Sequence, residues 1–168
     1  MTSGEDKKTA WKPSPKAKIY EALTAIGDNR VKLGSEHEAE VLSSDRTKTY
    51  VVEWTPDGRH ITANDNASYW QGYMGYPILA VLMLLGRIEF HRDVADSLAG
   101  IPWKSLNKKF RNRYNEAIES VLTALDAEGV DRKRITSEVD RIWEQIDRLN
   151  MEKMPRKRRP PKEQAPVK

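Results

Sequence analysis

Nine consecutive apolar residues, Pro77 to Leu85, are the feature that most constrains how this chain can fold. A helix that crosses a bilayer needs about 20 apolar residues, so this run is too short to do so. A short apolar run that ends at a glycine, here Gly86, is typical of a helix buried in a globular core. The sequence therefore predicts a buried helix over residues 78–87 and no membrane insertion.

In residues 39–63 the apolar side chains follow the two-residue period of a strand and not the spacing of a helix. In the segment 47–54, Tyr50, Val52 and Trp54 alternate with residues of the opposite face, as in a half-buried strand. The sequence from Thr55 to Gly58 (Thr-Pro-Asp-Gly) is a strong turn signal. We predict an antiparallel meander of strands 39–43, 47–54 and 59–63, with residues 31–33 as a short fourth strand. Its Tyr50, Val52 and Trp54 face should pack against the apolar helix.

The rest of the chain shows helical spacing. We predict a helix over residues 15–26, another that begins near Ala67, and a helical segment over 91–98. An apolar stripe from Trp103 to Leu125 predicts one long helix, and residues 135–149 predict a second with narrow apolar spacing. The expected fold class is α+β: an N-terminal helix, a three- to four-stranded antiparallel meander, and a helical half ending in an antiparallel helical hairpin.

Composition divides the chain into three parts. Residues 1–14 and 154–168 are basic and polar, contain several prolines and lack apolar periodicity, so we expect disordered tails. Residues 15–153 then form a single α+β domain. The chain has no cysteine, which excludes disulfides and thiol nucleophiles. Its first residues lack the apolar stretch of a signal peptide, so the expected location is the cytoplasm, or the nucleus in a eukaryote.

The net charge of +4 hides a strongly uneven distribution of charge. Residues 104–113 carry five basic side chains and no acidic one, and a second basic cluster follows Pro155. Such clusters neutralise phosphates, so the leading hypothesis is a small non-enzymatic module that binds nucleic acid. The alternative is a solvated helix face and a solubilising tail. The residues predicted to contact phosphate are Lys104, Lys108, Lys109, Arg111, Arg113, Arg156, Lys157, Arg158 and Arg159.

A second candidate site lies in residues 64–76. Amides, a carboxylate, aromatic rings and two glycines occur together there, a mixture that suits the wall of a ligand pocket. The same residues would also serve as helix caps and core. The predicted pocket residues are Asn64, Asp65, Asn66, Tyr69, Trp70 and Tyr73. They support an alternative function as a small-molecule-binding protein or an enzyme.

A third hypothesis is a protein-interaction subunit. It would use the C-terminal helical hairpin, around residues 135–149, or the aromatic strip 69–76, to bind a protein partner or a second copy of the chain. The three histidines are dispersed, and the sequence contains no phosphate-binding loop or nucleophile elbow. We therefore predict no catalytic residue, no metal site and no cofactor, which favours a non-enzymatic protein.

Overall fold

A helix and an antiparallel meander form the first half of the fold. The computed structural model describes residues 9–156 and 158–167. Helix α1 (Lys16–Gly27) leads into four strands that pair in chain order. These are β1 (Val31–Leu33), β2 (Glu38–Leu42), β3 (Thr49–Trp54) and β4 (His60–Ala63). Each is antiparallel to the next, which confirms the predicted antiparallel meander of three to four strands.

A fifth strand extends this sheet. Strand β5 (Glu152–Lys153) follows the last helix and pairs with β4 in parallel, with His60 opposite Glu152. The side chains of this pair are also in contact, with His60 Nε2 3.0 Å from a Glu152 carboxylate oxygen. Strand β5 therefore anchors the end of the helical half to the edge of the sheet.

The second half of the fold is helical, which confirms the α+β class. After a π-helical turn at Ala67–Gln71 come α2 (Tyr76–Leu84), α3 (Arg92–Ser97), α4 (Trp103–Lys109), α5 (Tyr114–Ala127) and α6 (Arg132–Asp147). No helix in the described ranges is both long and apolar enough to span a bilayer.

The prediction of one continuous helix from Trp103 to Leu125 is wrong. The helix breaks after Phe110, where Arg111 and Asn112 both adopt positive φ angles, of 52° and 61°. The amide of Asn112 bonds to the Asn107 carbonyl, and that of Arg111 to the Lys108 carbonyl. This is the hydrogen-bond pattern of a Schellman cap, usually made by glycine. The chain turns here, and the next helix begins at Tyr114.

Helix α2 lies at the centre of the core. All residues from Pro77 to Met83 are buried, and α2 packs against both α1 and β3. On the sheet side, Val52 is fully buried, and the ring of Tyr50 meets that of Tyr76 edge to face at 6.1 Å. The helix begins two residues earlier than the predicted 78, because Pro77 occupies its first turn, where a proline is tolerated.

The central position of α2 yields a test of the packing. The substitution Leu82→Ala should lower the free energy of unfolding by about 2–5 kcal/mol, because it leaves a cavity beside a side chain that is 1% exposed. Leu33→Ala is the matched control, since Leu33 is 42% exposed, and it should change stability by less than about 0.5 kcal/mol. Urea unfolding followed by circular dichroism measures both. Equal losses in the two variants would contradict this arrangement.

Candidate functional site: a polar cleft beside the start of helix α2

A cleft of about 720 Å³ opens between α1, the sheet, the π-helical turn and helices α4 and α5. Its volume falls within the roughly 300–1,000 Å³ range of small-molecule pockets. The lining is unusually rich in charged and hydroxyl groups. The charged residues are Lys18, Glu21, Arg30, Lys48, Asp65, Lys104 and Lys108.

Aromatic side chains form the walls between these charges: Tyr50, Tyr73, Tyr76, Trp103 and Tyr114. Trp103 is held by its indole N–H, which donates to the Thr24 hydroxyl at 2.8 Å. Burial raises the pKa of Tyr50 to about 12 and that of Tyr76 well above its ordinary value. Both phenols are therefore neutral at physiological pH and able to donate hydrogen bonds within the cleft.

A buried ion pair comes from α1. Lys18 and Glu21 lie one helical turn apart, and the Lys18 ammonium is 2.9 Å from a Glu21 oxygen. The amide of Asn107 donates to the other Glu21 oxygen at 3.1 Å, and the Tyr114 ring lies 4.9 Å from the ammonium. Burial lowers the pKa of Lys18, but the Glu21 carboxylate outweighs this and raises it above its ordinary value. The Lys18 ammonium is consequently charged, and its contacts hold the pair in place.

Asp65 is a buried charge of the cleft that other protein groups compensate only in part. It is 4% exposed, and its Oδ2 accepts from the Ser68 amide at 3.2 Å. Its Oδ1 is buried and has no hydrogen-bond partner within the described part of the chain. Burial raises the pKa of this carboxyl above its ordinary value. A ligand that offered a donor to Asp65 would offset part of the cost of burying it.

The backbone at Gly75 closes over Asp65. A Cβ atom at this position would lie 1.9 Å from Asp65 Oδ2, so only glycine fits without a rearrangement. The Gly75 amide also donates to the Ser68 hydroxyl at 3.0 Å. These contacts join the π-helical turn to the first turn of α2 and fix the Asp65 carboxyl at the inner wall of the cleft.

The cationic side of the cleft is set by Arg30 and Lys104. Arg30 is buried and donates to the Leu42 carbonyl at 2.6 Å, while its Nε pairs with Asp28 at 3.1 Å. The Lys104 ammonium pairs with Asp45 at 2.8 Å. Although burial raises the pKa of Asp45, hydrogen bonds from Lys104, Thr47 and Ser43 lower it well below its ordinary range.

The structure separates the six predicted pocket residues into two groups. Asp65, Asn66 and Tyr73 line the cleft. Asn64 lies behind it, where it accepts from the Val51 amide at 2.8 Å and donates to the Arg159 carbonyl at 3.2 Å. The other two, Tyr69 and Trp70, pack edge to face at 4.6 Å, and Trp70 is 68% exposed. Neither of these two rings lines the cleft.

The nine residues predicted to contact phosphate also divide. Two of them, Lys104 and Lys108, line the cleft. Three are paired with carboxylates: Lys104 with Asp45, Arg113 with Glu116 at 3.3 Å, and Arg158 with Glu53 at 2.6 Å. The Lys109 ammonium lies 5.7 Å from the Phe110 ring. The remaining ones within the described residues, Arg111, Arg156 and Arg159, are exposed, and Lys157 lies outside those residues. Their role in binding nucleic acid stays a prediction.

Sequence reasoning missed most of the lining. The residues that were not predicted include three charged ones from the first 30 residues, Lys18, Glu21 and Arg30. Tyr50 was predicted only as part of the core face of a strand. The available signal was the position of Lys18 and Glu21 beside the apolar stripe of α1, where a charged pair would have to be buried together. For metals, no group of three or more histidine or acidic side chains suited to an ion occurs among the described residues.

Fold and site together define a single-domain α+β protein with a polar, tyrosine-walled cleft at the start of its central helix. The chain belongs to the family described as "Uncharacterised conserved protein UCP014422", which matches residues 11–152. That match includes α1, the whole sheet except its last residue, and every cleft-lining residue. No curated protein and no solved structure matches the chain.

The partly compensated Asp65 carboxyl predicts a pH-dependent gain in stability for Asp65→Asn. The folded-state pKa is raised, so the unfolded chain releases this proton first, and stability falls as the pH rises above about 4. The neutral amide avoids this loss. We expect the variant to be more stable than the wild type by about 1–2 kcal/mol at pH 7, with the difference vanishing near pH 3.

Urea unfolding at a series of pH values measures this difference. Asp126→Asn, an exposed site on α5, is the control and should change stability by less than about 0.5 kcal/mol at every pH. A loss of stability in Asp65→Asn at neutral pH, or a difference independent of pH, would show that the carboxylate is compensated in the folded protein.

Proposed function

We propose that this protein binds a small polar molecule in the cleft beside helix α2. The observation that carries the proposal is the buried Asp65 carboxyl, whose Oδ1 lacks a partner among the described residues. In folded proteins the large majority of buried polar atoms are hydrogen-bonded. The same residue belongs to the lining of a cleft of ligand size, a combination that favours a group kept for binding.

The lining favours a ligand with a ring and several hydrogen-bonding groups. The tyrosine rings offer flat apolar contact, and their hydroxyls offer donors and acceptors at the same surface. The Lys18–Glu21 pair and Arg30 are held by other protein groups. The cleft is thus largely pre-organised, which lowers the entropy lost on binding.

The other two functions inferred from the sequence have weaker structural support. Nucleic-acid binding would use basic side chains of which Lys104, Arg113 and Arg158 already pair with carboxylates. A partner that bound the apolar seam of α6 would need side chains such as Ile135, Val139 and Ile142, which are buried in the chain's own core. Both hypotheses stay predictions with their own tests, salt-dependent binding to DNA and concentration-dependent mass.

A thermal-shift panel tests the proposal. The probes are free amino acids, dicarboxylates, sugar phosphates and nucleoside monophosphates, each at millimolar concentration. A ligand at ten times its Kd adds about 1.4 kcal/mol, which raises the midpoint by about 3–5 °C for a domain of this size. We expect at least one class to produce such a shift in the wild type.

Two tyrosine variants locate the binding. Tyr73→Ala removes a wall of the cleft and should abolish the shift, whereas Tyr69→Ala, a neighbouring tyrosine outside the lining, should retain it. If no class raises the midpoint, or if the shift survives in Tyr73→Ala as in the control, the cleft is not the binding site of a small polar ligand.

A further inference from the structure

Residues 158–167 lie along the sheet and the turn before β3, and they pass the edge of the cleft at Glu163. Arg158 pairs with Glu53 of β3, and the Arg159 carbonyl accepts from the Asn64 amide. Farther along, the Gln164 amide bonds to the Thr47 carbonyl at 2.7 Å, and the Val167 amide bonds to the Arg46 carbonyl at 2.9 Å. The segment is thus held on both sides of Glu163.

These contacts bring the Glu163 carboxylate to Lys104, a lining residue of the cleft. One Glu163 oxygen lies 2.7 Å from the Lys104 ammonium, which also contacts Asp45 at 2.8 Å and the Thr47 hydroxyl at 3.2 Å. One lysine therefore serves two carboxylates at the edge of the cleft.

The two carboxylates are held very differently. Asp45 belongs to the turn between β2 and β3, where it accepts from the Ser43 hydroxyl at 2.8 Å and from the Thr47 amide at 3.0 Å. The Glu163 side chain is 63% exposed, and its carboxylate pairs with Lys104. Asp45 is a fixed part of the site, whereas Glu163 can leave without disturbing the fold.

The charge around this position favours an anion even when Glu163 leaves. Asp45 neutralises only one cation, and Lys48 and Lys108 also line the cleft. The positive charge of Lys48 contributes, after that of Lys104, to lowering the pKa of Glu163. An oxyanion that replaced the Glu163 carboxylate would meet the same Lys104 ammonium, in a cleft that Lys48 and Lys108 also line.

We propose that Lys104 is an anion subsite of the cleft, and that Glu163 occupies it in cis until an oxyanion of the ligand, carboxylate or phosphate, displaces it. This inference rests on the proposed function and adds the chemical class of the ligand: a small molecule that carries an oxyanion at one end. Glu163 acts as an internal competitor whose release accompanies binding.

The strength with which Glu163 competes for Lys104 follows from the solvent exposure of this ion pair. An exposed ion pair shifts an equilibrium by a factor of up to about five. An internal competitor raises the apparent Kd by the inverse of the fraction of molecules with a free site. Removing the charge of Glu163 should therefore lower the apparent Kd for a small oxyanion by about threefold to fivefold at low salt, and less at high salt.

Isothermal titration calorimetry of the full chain with inorganic phosphate, and separately with succinate, tests this subsite. Glu163→Gln should bind one or both anions about threefold to fivefold more tightly than the wild type. Glu144→Gln makes the same change of net charge on the exposed surface of α6, away from the cleft, and should leave the Kd unchanged. Lys104→Gln should weaken binding about tenfold or more. The anion that responds shows whether the subsite prefers phosphate or carboxylate.

Equal Kd values for the wild type and Glu163→Gln, equal tightening by Glu144→Gln, or binding that survives in Lys104→Gln would each overturn the inference.

These failures are separable from failure of the proposed function. A panel ligand whose binding depends on Tyr73 but not on Glu163 or Lys104 would leave the cleft as the binding site and remove the anion subsite. Anion binding that follows the Glu163 and Lys104 variants, without any ligand that depends on Tyr73, would remove the small-molecule function instead.

Discussion

The packing of helix α2 into the centre of the fold is the constraint on which the rest of the structure depends. Its residues from Pro77 to Met83 are all buried, with α1 on one side and the sheet on the other. Burial of each large apolar side chain contributes about 1.5–3 kcal/mol. The helix cannot shift along its axis without exposing some of this surface, so its first turn has a fixed position. The cleft is built at that turn.

The site follows from how α2 begins. Gly75 packs directly on the carboxyl of Asp65, and Tyr76 meets Tyr50 of the sheet at the next position. The core thus holds the Asp65 carboxyl where it lacks a partner for one oxygen among the described residues. The buried carboxyl lowers the stability of the fold but offers a group that a ligand can bind, a conflict that is common at functional sites. The other buried charges of the cleft, Lys18 with Glu21 and Arg30 with Asp28, are paired.

Local sequence patterns predicted the elements of the fold well. The apolar run of α2 and the alternation of β3 each reflect the local environment of consecutive residues. Two features gave no recognisable pattern in the sequence and were missed. The break between α4 and α5 is made by Arg111 and Asn112 rather than by the glycine that usually ends a helix. Strand β5 has only two residues, too few to show a period, and its pairing with β4 depends on where the chain leaves the end of α6.

The cleft was only partly predictable. Asp65 and Tyr73 stood out because they lie in a segment of unusual composition. The contacts that complete the site join distant parts of the chain, such as Asn107 with Glu21 and Trp103 with Thr24. Helical periodicity places Lys104 and Lys108 on the same flank of α4, yet it does not reveal that this flank faces a cleft containing Asp65. Only the tertiary packing shows that two of the predicted phosphate-binding lysines belong to this pocket.

The central claim is that anions and small polar ligands bind in the cleft rather than on the exposed basic surface. Nuclear magnetic resonance of the ¹⁵N-labelled protein, titrated with inorganic phosphate, tests it most directly. We predict that the amide signals which shift lie around the cleft, at Thr47, Ser68 and Lys104. Shifts confined to Arg111 and Arg156, on the exposed basic surface, would contradict it.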